Sequence, residues 1–525
     1  MLPPVPLRPE AGGGRYRVSV HHPVLGLSGA PPGALRATPT HGAHVAQPGP
    51  SGPRTAGRHP GTGVDPAHVP GSSLINAGRK AAASHESTTT SPSHQPEGAP
   101  HVDADVIVVG AGLAGLACAL RLQREGLRPL VIEAADRTGG RVATDLRDGF
   151  LLDRGFQVLQ TWYPAARKLL DYEALDLRPF YPGALVRIGD AFHRVSDIWR
   201  RPAQLPEMLT SPVGSLGDKL RLLALRRRAL SGDLAALYAR AEQPAPALLR
   251  QLGFSERIQA RFFRPFFAGV FFEPELNVSS RAFEFVFRAF ALGDTALPTR
   301  GMEQIALQLT ERLAPERLRL GQRVERLEAD GVRLADGTRL RARATVLATD
   351  ANAAATLLGR EPVATRGTTC FYFAAPEAPF TGPYLVLNGT GAGPINSLLC
   401  PSNLSPHYAP AGQALVCVNV FGANHNPDAL ETAVRRQLRH WYGEHVEVWQ
   451  RLAVYRLPAA LPVQHTGVTA PGAPVRVGEQ RWVCGELAAP PSIHWALASG
   501  DDTATAVSRG LRSGRSPDPR PHTAA

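Results

Sequence analysis

Hydrophobic and polar positions first form a regular pattern at Asp105. Residues 106–109 are a short β-branched run ending in glycine, which is typical of a buried parallel strand. Residues 113–125 have the apolar spacing of a helix, and Gly126 follows at a C-cap position. Residues 130–133 predict the next strand. A strand, a helix and a strand within about thirty residues predict a right-handed βαβ unit and a parallel sheet.

Beyond this unit, helical and strand patterns follow one another. Residues 200–290 are predicted to be mainly helical, with Gly and Pro breaks. Residues 322–349 alternate as strands do, with hairpin turns at Asp330-Gly331 and Asp336-Gly337. Later elements are predicted as strands at 414–422 and 483–485 and helices at 428–441 and 492–511.

The two ends of the chain lack such patterns. The first hundred residues contain 17 Pro and 15 Gly and show no apolar periodicity. Such a segment buries too little surface to offset the entropy of ordering it. We therefore expect residues 1–101 to be a disordered low-complexity extension, and the Pro- and Arg-rich residues 513–525 to be a disordered tail.

Composition excludes several classes of protein. With 525 residues, 43% hydrophobic and 19% charged, the chain is neither collagen-like, nor fully disordered, nor a small disulfide scaffold. The net charge of +12 comes almost entirely from arginine, and no nucleic-acid-binding signature accompanies it. Five scattered cysteines without a CxxC pair predict neither disulfides nor a metal site and favour a cytoplasmic location. No apolar stretch reaches the roughly 18 residues of a spanning helix.

The first predicted turn is a dinucleotide-binding fingerprint. Residues 110–115 read Gly110-Ala111-Gly112-Leu113-Ala114-Gly115, between a strand and a helix. In this motif Gly110 permits the turn, Gly112 lets a pyrophosphate approach the backbone, and Gly115 lets helix and strand pack. Amides at the helix start face the phosphates. Glu133, 18 residues after Gly115, is placed to accept hydrogen bonds from an adenosine ribose.

The residues after Glu133 indicate which dinucleotide is bound. The pattern Glu133, Arg137, Gly139, Gly140, Arg141 has the form E-x-x-x-R-x-G-G-R and resembles the FAD-dependent amine oxidase and phytoene desaturase superfamily. The resemblance implies an α/β fold, with a Rossmann-like FAD-binding domain of the glutathione-reductase type and an interleaved α+β substrate domain. It also implies that Gly139, Gly140 and Arg141 lie against the FAD pyrophosphate, where a guanidinium pairs well with phosphate oxygens.

A second match lies about 370 residues further on. Residues 482–486 and 490–500 resemble the closing strand and the last helix of the same superfamily. The resemblance implies that Gly485 and Glu486 lie near the ribityl chain and that the Trp495 and Ala496 amides face the flavin ring. Val324 resembles the strand that holds the adenine. Some amine oxidases of this superfamily attach the flavin to a cysteine upstream of the closing strand. Because residues 455–480 contain no cysteine, the resemblance implies that FAD is bound non-covalently here.

These matches divide the chain into alternating segments. The predicted FAD-binding domain comprises residues 102–175, 296–355 and 476–512, and the predicted substrate domain comprises residues 176–295, mainly helical, and 356–475. The resemblance is specific only at the motifs. Residues 153–157 (DRGFQ) resemble a loop that runs toward the flavin, and residues 298–302 (PTRGM) resemble a P-x-G-G-M segment with Arg300 in place of glycine.

The substrate is inferred from what surrounds the motifs. The tyrosine of an amine-oxidase cage is absent from the start of the last helix. Residues 262–290 contain ten of the nineteen phenylalanines, which form either an apolar substrate tunnel or, for most of them, a helical core. We therefore expect a carotenoid desaturase that adds a C=C bond by hydride transfer to flavin, with C-3',4' desaturation as the specific version. The alternatives are an amine or porphyrinogen oxidase and a redox-neutral carotenoid isomerase.

Two questions stay open at this point. The catalytic group is not identified: His494 and Trp495 are candidates, and His494 fits a proton acceptor or a structural histidine. A basic amphipathic stretch, with Lys219, Arg221 and residues 226–228 among leucines, suits either an anionic membrane surface or a solvated helix face. Peripheral membrane association of a cytoplasmic protein is therefore an expectation, and the oligomeric state stays undetermined.

Overall fold

The structure is a computed structural model that describes residues 102–467 and 473–513 together with the backbone of Arg15–Tyr16. These residues belong to one compact unit. Apart from Arg15–Tyr16 and Ser513, the predicted disordered ends lie outside the described residues. Within the described part of the chain, no helix combines the length and apolar character needed to cross a membrane.

The strands, in chain order, are short and distributed over four sheets. They are β1 Arg15–Tyr16, β2 Ala104–Val109, β3 Pro129–Ile132, β4 Thr144–Arg147, β5 Phe150–Asp153, β6 Leu159–Gln160, β7 Leu177–Pro179, β8 Gly183–Ile188, β9 Ala191–Ser196, β10 Thr295–Pro298, β11 Leu318–Arg319, β12 Val324–Glu328, β13 Gly331–Leu334, β14 Arg339–Leu347, β15 Thr365–Ala375, β16 Leu385–Asn388, β17 Ile395–Leu399, β18 Ala414–Phe421, β19 Gln450–Pro462, β20 Val475–Gly478 and β21 Arg481–Val483.

The helices alternate with the strands along the chain. They are α1 Leu113–Arg124, α2 Pro164–Leu169, α3 Leu205–Thr210, α4 Leu216–Leu230, α5 Leu234–Tyr238, α6 Ala245–Gln251, α7 Glu256–Ile258, α8 Arg264–Phe271, α9 Ser280–Leu292, α10 Gln304–Thr310, α11 Ala351–Leu357, α12 Pro427–Tyr442 and α13 Ile493–Ser513. A π-helical turn, Gln259–Phe263, joins α7 to α8. The helical prediction for residues 200–290 is confirmed.

The first large sheet carries the predicted βαβ unit. Its strands run in the order β11-β3-β2-β14-β13-β12, and β21 pairs with the other side of β14's C-terminal half. Strands β11, β3, β2, β14 and β21 are parallel, and the chain crosses from β2 to β3 through α1. Val106, Ile107 and Val108 are fully buried, because both faces of a parallel sheet are covered. The C-terminal ends of β2, β3 and β14 therefore meet at one edge, where the glycine turn lies.

The second large sheet is mostly antiparallel, in the order β1-β9-β8-β16-β17-β18-β15-β19. Strands β8 and β16 form its parallel pair. Helix α12 packs against it through Leu430, Val434 and Leu438. Small sheets β6-β10-β7 and β4-β5 complete the fold. The strands β8 and β9 were not anticipated from the sequence pattern.

The phenylalanine-rich region divides between the core and a cavity. Phe263, Phe267 and Phe283 are almost completely buried and form a cluster in which Phe267 and Phe283 lie 4.6 Å apart between ring centres. Burial of a phenylalanine stabilises a fold by about 1.5–3 kcal/mol. Six of the ten phenylalanines do not line the cavity, whereas Phe271, Phe272, Phe285 and Phe290 do. Core packing is thus the main role of this region, and part of it forms a cavity wall.

Candidate functional site

The glycine turn between β2 and α1 is shaped by close backbone contacts. A Cβ on Gly110 would lie 2.9 Å from the Ala348 carbonyl oxygen, and one on Gly115 would lie 1.9 Å from the Gly110 carbonyl oxygen. A Cβ on Gly112 would meet nothing within 4 Å. Gly112 begins α1 without a side-chain cap, so the first helical amides are left for another partner.

One cavity of about 960 Å³ extends from this turn into the protein. Most of the predicted cofactor residues line it: Gly110, Gly112, Leu113, Ala114, Glu133, Gly139, Gly140, Arg141, Val324, Gly485, Glu486, Trp495 and Ala496. Sequence motifs separated by hundreds of residues therefore meet on a single wall. Gly115 does not line the cavity, because it lies where helix α1 packs closely against the backbone at the end of β2.

Glu133 stands at the end of β3, beside the turn. Its Oε2 accepts a hydrogen bond of 2.7 Å from the Ala111 amide, and its Oε1 accepts one of 2.8 Å from the Ala135 amide. Each carboxylate oxygen can accept a further bond, so the predicted contact with ribose hydroxyls stays open to it. Nearby in the wall, the buried Oε1 of Gln322 has no hydrogen-bond partner. This end of the cavity thus offers polar groups to a nucleoside.

Arg141 reaches across the cavity to the C-terminal motif. Its Nη2 forms an ion pair with Glu486, and its Nη1 donates a hydrogen bond of 2.6 Å to the Ala460 carbonyl. The other oxygen of Glu486 accepts a 3.2 Å bond from the Ala351 amide, at the start of α11. The two residues that the sequence placed at the pyrophosphate and the ribityl chain are therefore neighbours, and Arg141 brings a cation to the glycine turn.

Arg137, which the sequence placed among the cofactor residues, lies outside the cavity wall. Its Nη2 donates a 2.9 Å bond to Asp145 Oδ1, and its Nη1 contacts the Thr144 carbonyl at 3.3 Å. The carboxylate of Asp145 on β4 lies within reach and binds the guanidinium, so the contact of Arg137 with the cofactor stays a prediction. Arg137 therefore links the glycine-arginine motif to strand β4 on the side away from the cavity.

The start of α13 bears on a second prediction, that of the Trp495 and Ala496 amides. The Trp495 amide donates to Ser492 Oγ at 3.1 Å, and the Ala496 amide donates to the Ser492 carbonyl at 2.9 Å. These two amides are occupied within the helix, although both residues line the cavity. The first amides of a helix have no intrahelical partner, and here they belong to Ile493 and His494. The helix start thus remains a donor site, but one or two residues earlier than predicted.

His494 lies behind the cavity wall, with a side chain 3% exposed. Its Nδ1 accepts a 3.3 Å hydrogen bond from the Ala165 amide, and its ring stacks on Tyr163 and Phe285 at 5.7 and 5.6 Å. Burial lowers its pKa to about 4. A neutral imidazole held by a backbone amide and two rings fits the structural alternative better than a proton acceptor.

His494 makes the stability of the fold depend on pH. At this residue the unfolded chain takes up a proton near pH 6.5 and the folded chain only near pH 4, so the contribution of His494 to stability is complete above pH 6.5 and is lost as the pH falls toward 4. Between pH 6.5 and pH 4, we expect the free energy of unfolding to fall by about 3 kcal/mol more in the wild type than in His494→Gln. Urea unfolding at several pH values measures the difference. Parallel pH profiles of the two proteins would contradict the assignment.

The remaining cavity wall is apolar and aromatic. It is formed by Tyr163, Tyr238, Phe271, Phe272, Phe285, Val286, Phe290 and Trp495. Tyr238 and Trp495 meet edge to face with their ring centres 5.6 Å apart, and neither Tyr238 OH nor Trp495 Nε1 has a hydrogen-bond partner. Sequence reasoning missed both tyrosines, since neither belongs to a motif. Tyr238 is placed by the fold alone, at the end of the short helix α5.

The loop after β5 brings further polar groups into the wall. As its resemblance implied, residues 154–157 line the cavity, while the side chain of Asp153 points away into the core. Asp153 accepts hydrogen bonds from Thr144 Oγ1 at 2.6 Å, the Met302 amide at 2.9 Å and Tyr408 OH at 3.0 Å. Burial raises the pKa of Asp153 to about 6. This buried carboxyl ties the loop to residues 298–302 and so holds the wall in place.

Arg154 reaches the wall with its charge already paired. Its Nε and Nη2 donate to the two carboxylate oxygens of Asp145 at 2.9 and 3.0 Å, and Tyr455 OH also donates to Asp145 at 2.7 Å. Burial acts to raise the pKa of Asp145, but these hydrogen bonds outweigh it and lower the pKa to about 2. Asp145 is therefore ionised, and its carboxylate is shared between Arg154 and Arg137 at the edge of the cavity.

The whole arrangement fits FAD. The open face of Gly112 leaves room for a pyrophosphate, Arg141 and the α1 amides supply positive potential, and Glu133 and Gln322 lie at the nucleoside end. The start of α13 and the aromatic wall line the same cavity, and the sequence match predicts the flavin ring at the start of this helix. The polar cradle thus continues into an apolar chamber.

Comparisons with known proteins identify the family of this chain. The model of the flavin containing amine oxidoreductase family matches residues 113–508. Coproporphyrinogen III oxidase of Propionibacterium freudenreichii subsp. freudenreichii is 38% identical over 105 residues, 19% of this chain and 20% of that enzyme. Phytoene desaturase (lycopene-forming) of Pantoea ananas is 34% identical over 108 residues, 19% of this chain and 22% of that enzyme. The chain thus matches about a fifth of the length of these two curated relatives.

Solved structures extend the likeness over the fold. Cyclohexylamine oxidase from Brevibacterium oxydans IH-35A superposes with a TM-score of 0.56 at 20% identity, covering 78% of this chain and 100% of that one. This confirms the predicted mixed α/β fold with its Rossmann-like sheet. Together with the family match over most of the chain, it establishes that the protein belongs to the flavin containing amine oxidoreductase family and is an FAD-dependent oxidoreductase.

Proposed function

We propose that this protein is a carotenoid desaturase, which introduces a C=C bond into a long apolar polyene, with the C-3',4' position as the specific site. The observation that carries the proposal is the chamber beyond the cofactor cradle. Its wall of tyrosines, phenylalanines, valine and tryptophan suits a hydrocarbon chain, which gains affinity by removing apolar surface from water.

The charges around the cavity favour a hydrocarbon over an amine. Glu133 is engaged by backbone amides, Glu486 pairs with Arg141, and Asp350 caps α11 by accepting from the Asn352 and Ala353 amides. Glu325 lies at the nucleoside end, next to Val324. An ammonium substrate at the aromatic wall would therefore find no carboxylate among the described residues that line it. Burying that charge without a partner is costly.

The residues of the chamber position the substrate and exclude water. Bound FAD supplies the two-electron acceptor: the polyene loses one hydride to it and one proton, and gains a double bond. Trp495 and Phe285, with ring centres 5.6 Å apart, offer flat apolar surfaces on which a conjugated chain packs.

The test is expression of the full chain in cells that accumulate defined carotenoids. We expect a red-shifted pigment two hydrogens lighter than its precursor, read from absorption spectra and masses. The matched control is Gly112→Val, which keeps the apolar chamber and removes the cofactor. Unchanged pigments in cells whose purified protein contains FAD would contradict the desaturase, and a pigment of altered spectrum but unchanged mass would indicate an isomerase instead.

A porphyrinogen oxidase is the second candidate, favoured by the identity shared with the coproporphyrinogen III oxidase. Such substrates carry several carboxylates, which require unpaired cations in the chamber. Arg154, the arginine beside Gln157 in the wall, is paired with Asp145. Development of porphyrin fluorescence from coproporphyrinogen by the purified holoenzyme would favour this candidate, and release of hydrogen peroxide with amines would favour an amine oxidase.

A further inference from the structure

Large apolar side chains are exposed together on one part of the surface. Of the eleven large hydrophobic residues exposed in the described part of the chain, six lie within residues 199–223. These are Trp199, Leu205, Leu209, Leu216, Leu220 and Leu223, which we call the leucine patch. Single exposed leucines are ordinary, whereas a cluster marks an interaction surface.

Contacts between the elements show that the patch is continuous. Lys219 on α4 donates to the Leu209 carbonyl at the end of α3 at 2.6 Å. Arg226, also on α4, lies 4.5 Å from the centre of the Trp199 ring. Leu216, Leu220 and Leu223 are spaced by four and three residues, so they form one stripe along α4. The segment before α3, helix α3 and helix α4 are therefore neighbours, and each carries exposed large apolar residues.

The charge around the patch is strongly positive. Residues 199–230 contain seven basic residues and two acidic ones. Both acids are turned to internal partners: Glu207 pairs with Arg194, and Asp218 is buried and accepts from the Ser215 and Ser255 amides. Arg201, Arg221 and Arg227 are exposed. The exposed leucines thus lie among arginines that no acidic side chain of this segment neutralises. Such a surface fits a partner with an apolar interior and an anionic surface.

The structure also separates the basic stretch into two groups. Lys219 is bound to the Leu209 and Ser211 carbonyls, and Arg228 pairs with the fully buried Glu284. These two residues hold α4 against α3 and α9. The exposed Arg221 and Arg227 are the ones available to an external anion.

A short chain of contacts links the patch to the cavity. Leu222 of α4 packs in the same cluster as Phe262 and Phe266. Phe266 lies 4.8 Å from Phe290, ring centre to ring centre, and Phe290 lines the cavity. Arg226 Nη1 donates to the Ala291 carbonyl at 3.3 Å, beside Phe290 on α9. The patch therefore covers the outer side of the helix that forms the chamber's wall.

We propose that the leucine patch docks this protein on the surface of an anionic lipid bilayer, with the leucines among the acyl chains and Arg221 and Arg227 at the headgroups. Membrane binding of this kind gains from apolar side chains at the acyl boundary and from electrostatic attraction to anionic lipids. Each basic residue near an anionic surface strengthens binding about fivefold. The inference concerns binding alone and stands apart from the substrate proposed above.

The test is sedimentation of the full-length holoprotein with vesicles. Vesicles of equal parts phosphatidylcholine and phosphatidylglycerol are expected to bind the wild type at least about tenfold more tightly than vesicles of phosphatidylcholine alone. Binding to the anionic vesicles should weaken at least about tenfold in Leu220→Gln/Leu223→Gln. It should weaken at least about tenfold in Arg221→Gln/Arg227→Gln as well, and in that variant binding should also lose its dependence on salt concentration.

Matched controls are available on other surfaces. Leu146→Gln/Val448→Gln removes two exposed apolar residues, and Arg360→Gln/Arg436→Gln removes two exposed arginines, all outside the patch. Both controls should bind as the wild type does, and all variants should retain FAD absorption. Equal binding to neutral and anionic vesicles, or equal loss in patch and control variants, overturns the proposal. So does a wild-type dimer that Leu220→Gln/Leu223→Gln dissociates, since the patch would then bind a second copy of the chain.

Discussion

Gly112→Val is expected to yield a folded protein that contains no FAD. Gly112 has φ −69° and ψ 176°, an extended conformation that valine adopts readily, and a Cβ there meets no protein atom within 4 Å. Its open side is the cavity, where the pyrophosphate of FAD must approach the backbone. The isopropyl group would occupy that space, so we expect affinity for FAD to fall at least about a hundredfold, or about 3 kcal/mol. Flavin absorption per protein and the circular dichroism spectrum measure the two effects.

Valine substitutions at two further glycines serve as comparisons for Gly112→Val. Gly115→Val is expected to prevent folding, because its Cβ would lie 1.9 Å from the Gly110 carbonyl oxygen. Gly478→Val is the control, since a Cβ there meets only the Arg481 side chain at 3.5 Å or more, and it should retain both fold and FAD. A Gly112→Val protein with full flavin absorption would show that the pyrophosphate binds elsewhere.

Arg141→Ala is expected to weaken FAD binding about a hundredfold. Its guanidinium lines the cavity beside the glycine turn, and a charge-assisted, two-pronged contact with phosphate contributes about 3 kcal/mol. The substitution also leaves Glu486 without its cation, which places an unpaired negative charge near the phosphates. Titration of the apoprotein with FAD, followed by quenching of flavin fluorescence, gives the dissociation constant. Arg141→Lys keeps the charge and loses the planar fork, so it should be intermediate.

Arg137→Ala is the informative control, because both arginines belong to the same sequence motif. Arg137 lies behind the cavity wall and is held by Asp145, so its removal should change affinity for FAD by less than about twofold. Equal losses in Arg137→Ala and Arg141→Ala would mean that the motif acts as a structural unit rather than through a contact of Arg141. Arg141→Lys then shows whether the contribution of Arg141 to FAD binding comes from its charge or from the planar geometry of its guanidinium.

The parts of this protein that the sequence predicted well are those governed by local rules. The strand β2, the glycine turn and α1 follow from a β-branched run, three glycines and a helical apolar pattern within twenty-one residues, 104–124. The hairpins β12-β13-β14 follow from Asp-Gly turns in the same way. Glu133 was found because the spacing of the motif places it at the end of β3. In each case the determining interactions lie between residues that are near in sequence.

Other details of the site were not anticipated from the sequence, including hydrogen bonds whose partners lie only three to eight residues apart. Arg137 was assigned to FAD because its motif includes it, but Asp145 on the β4-β5 hairpin captures it. The Trp495 and Ala496 amides were assigned to the flavin ring, but Ser492 occupies them. Tyr163 and Tyr238 were missed altogether. No pattern within their own segments distinguishes a cavity tyrosine from a core tyrosine.

By itself, the sequence determined the dinucleotide fold, its cofactor and the superfamily, because these reside in glycines, an acid and an arginine at fixed spacings. Only the tertiary structure decided which phenylalanines form a chamber and which fill the core, and which arginines of α4 face outward. It also brought Arg141 to Glu486, 345 positions away. The physical reason is that a side chain's burial and charge partner depend on what packs across from it, and that is set by the meeting of whole sheets and helices.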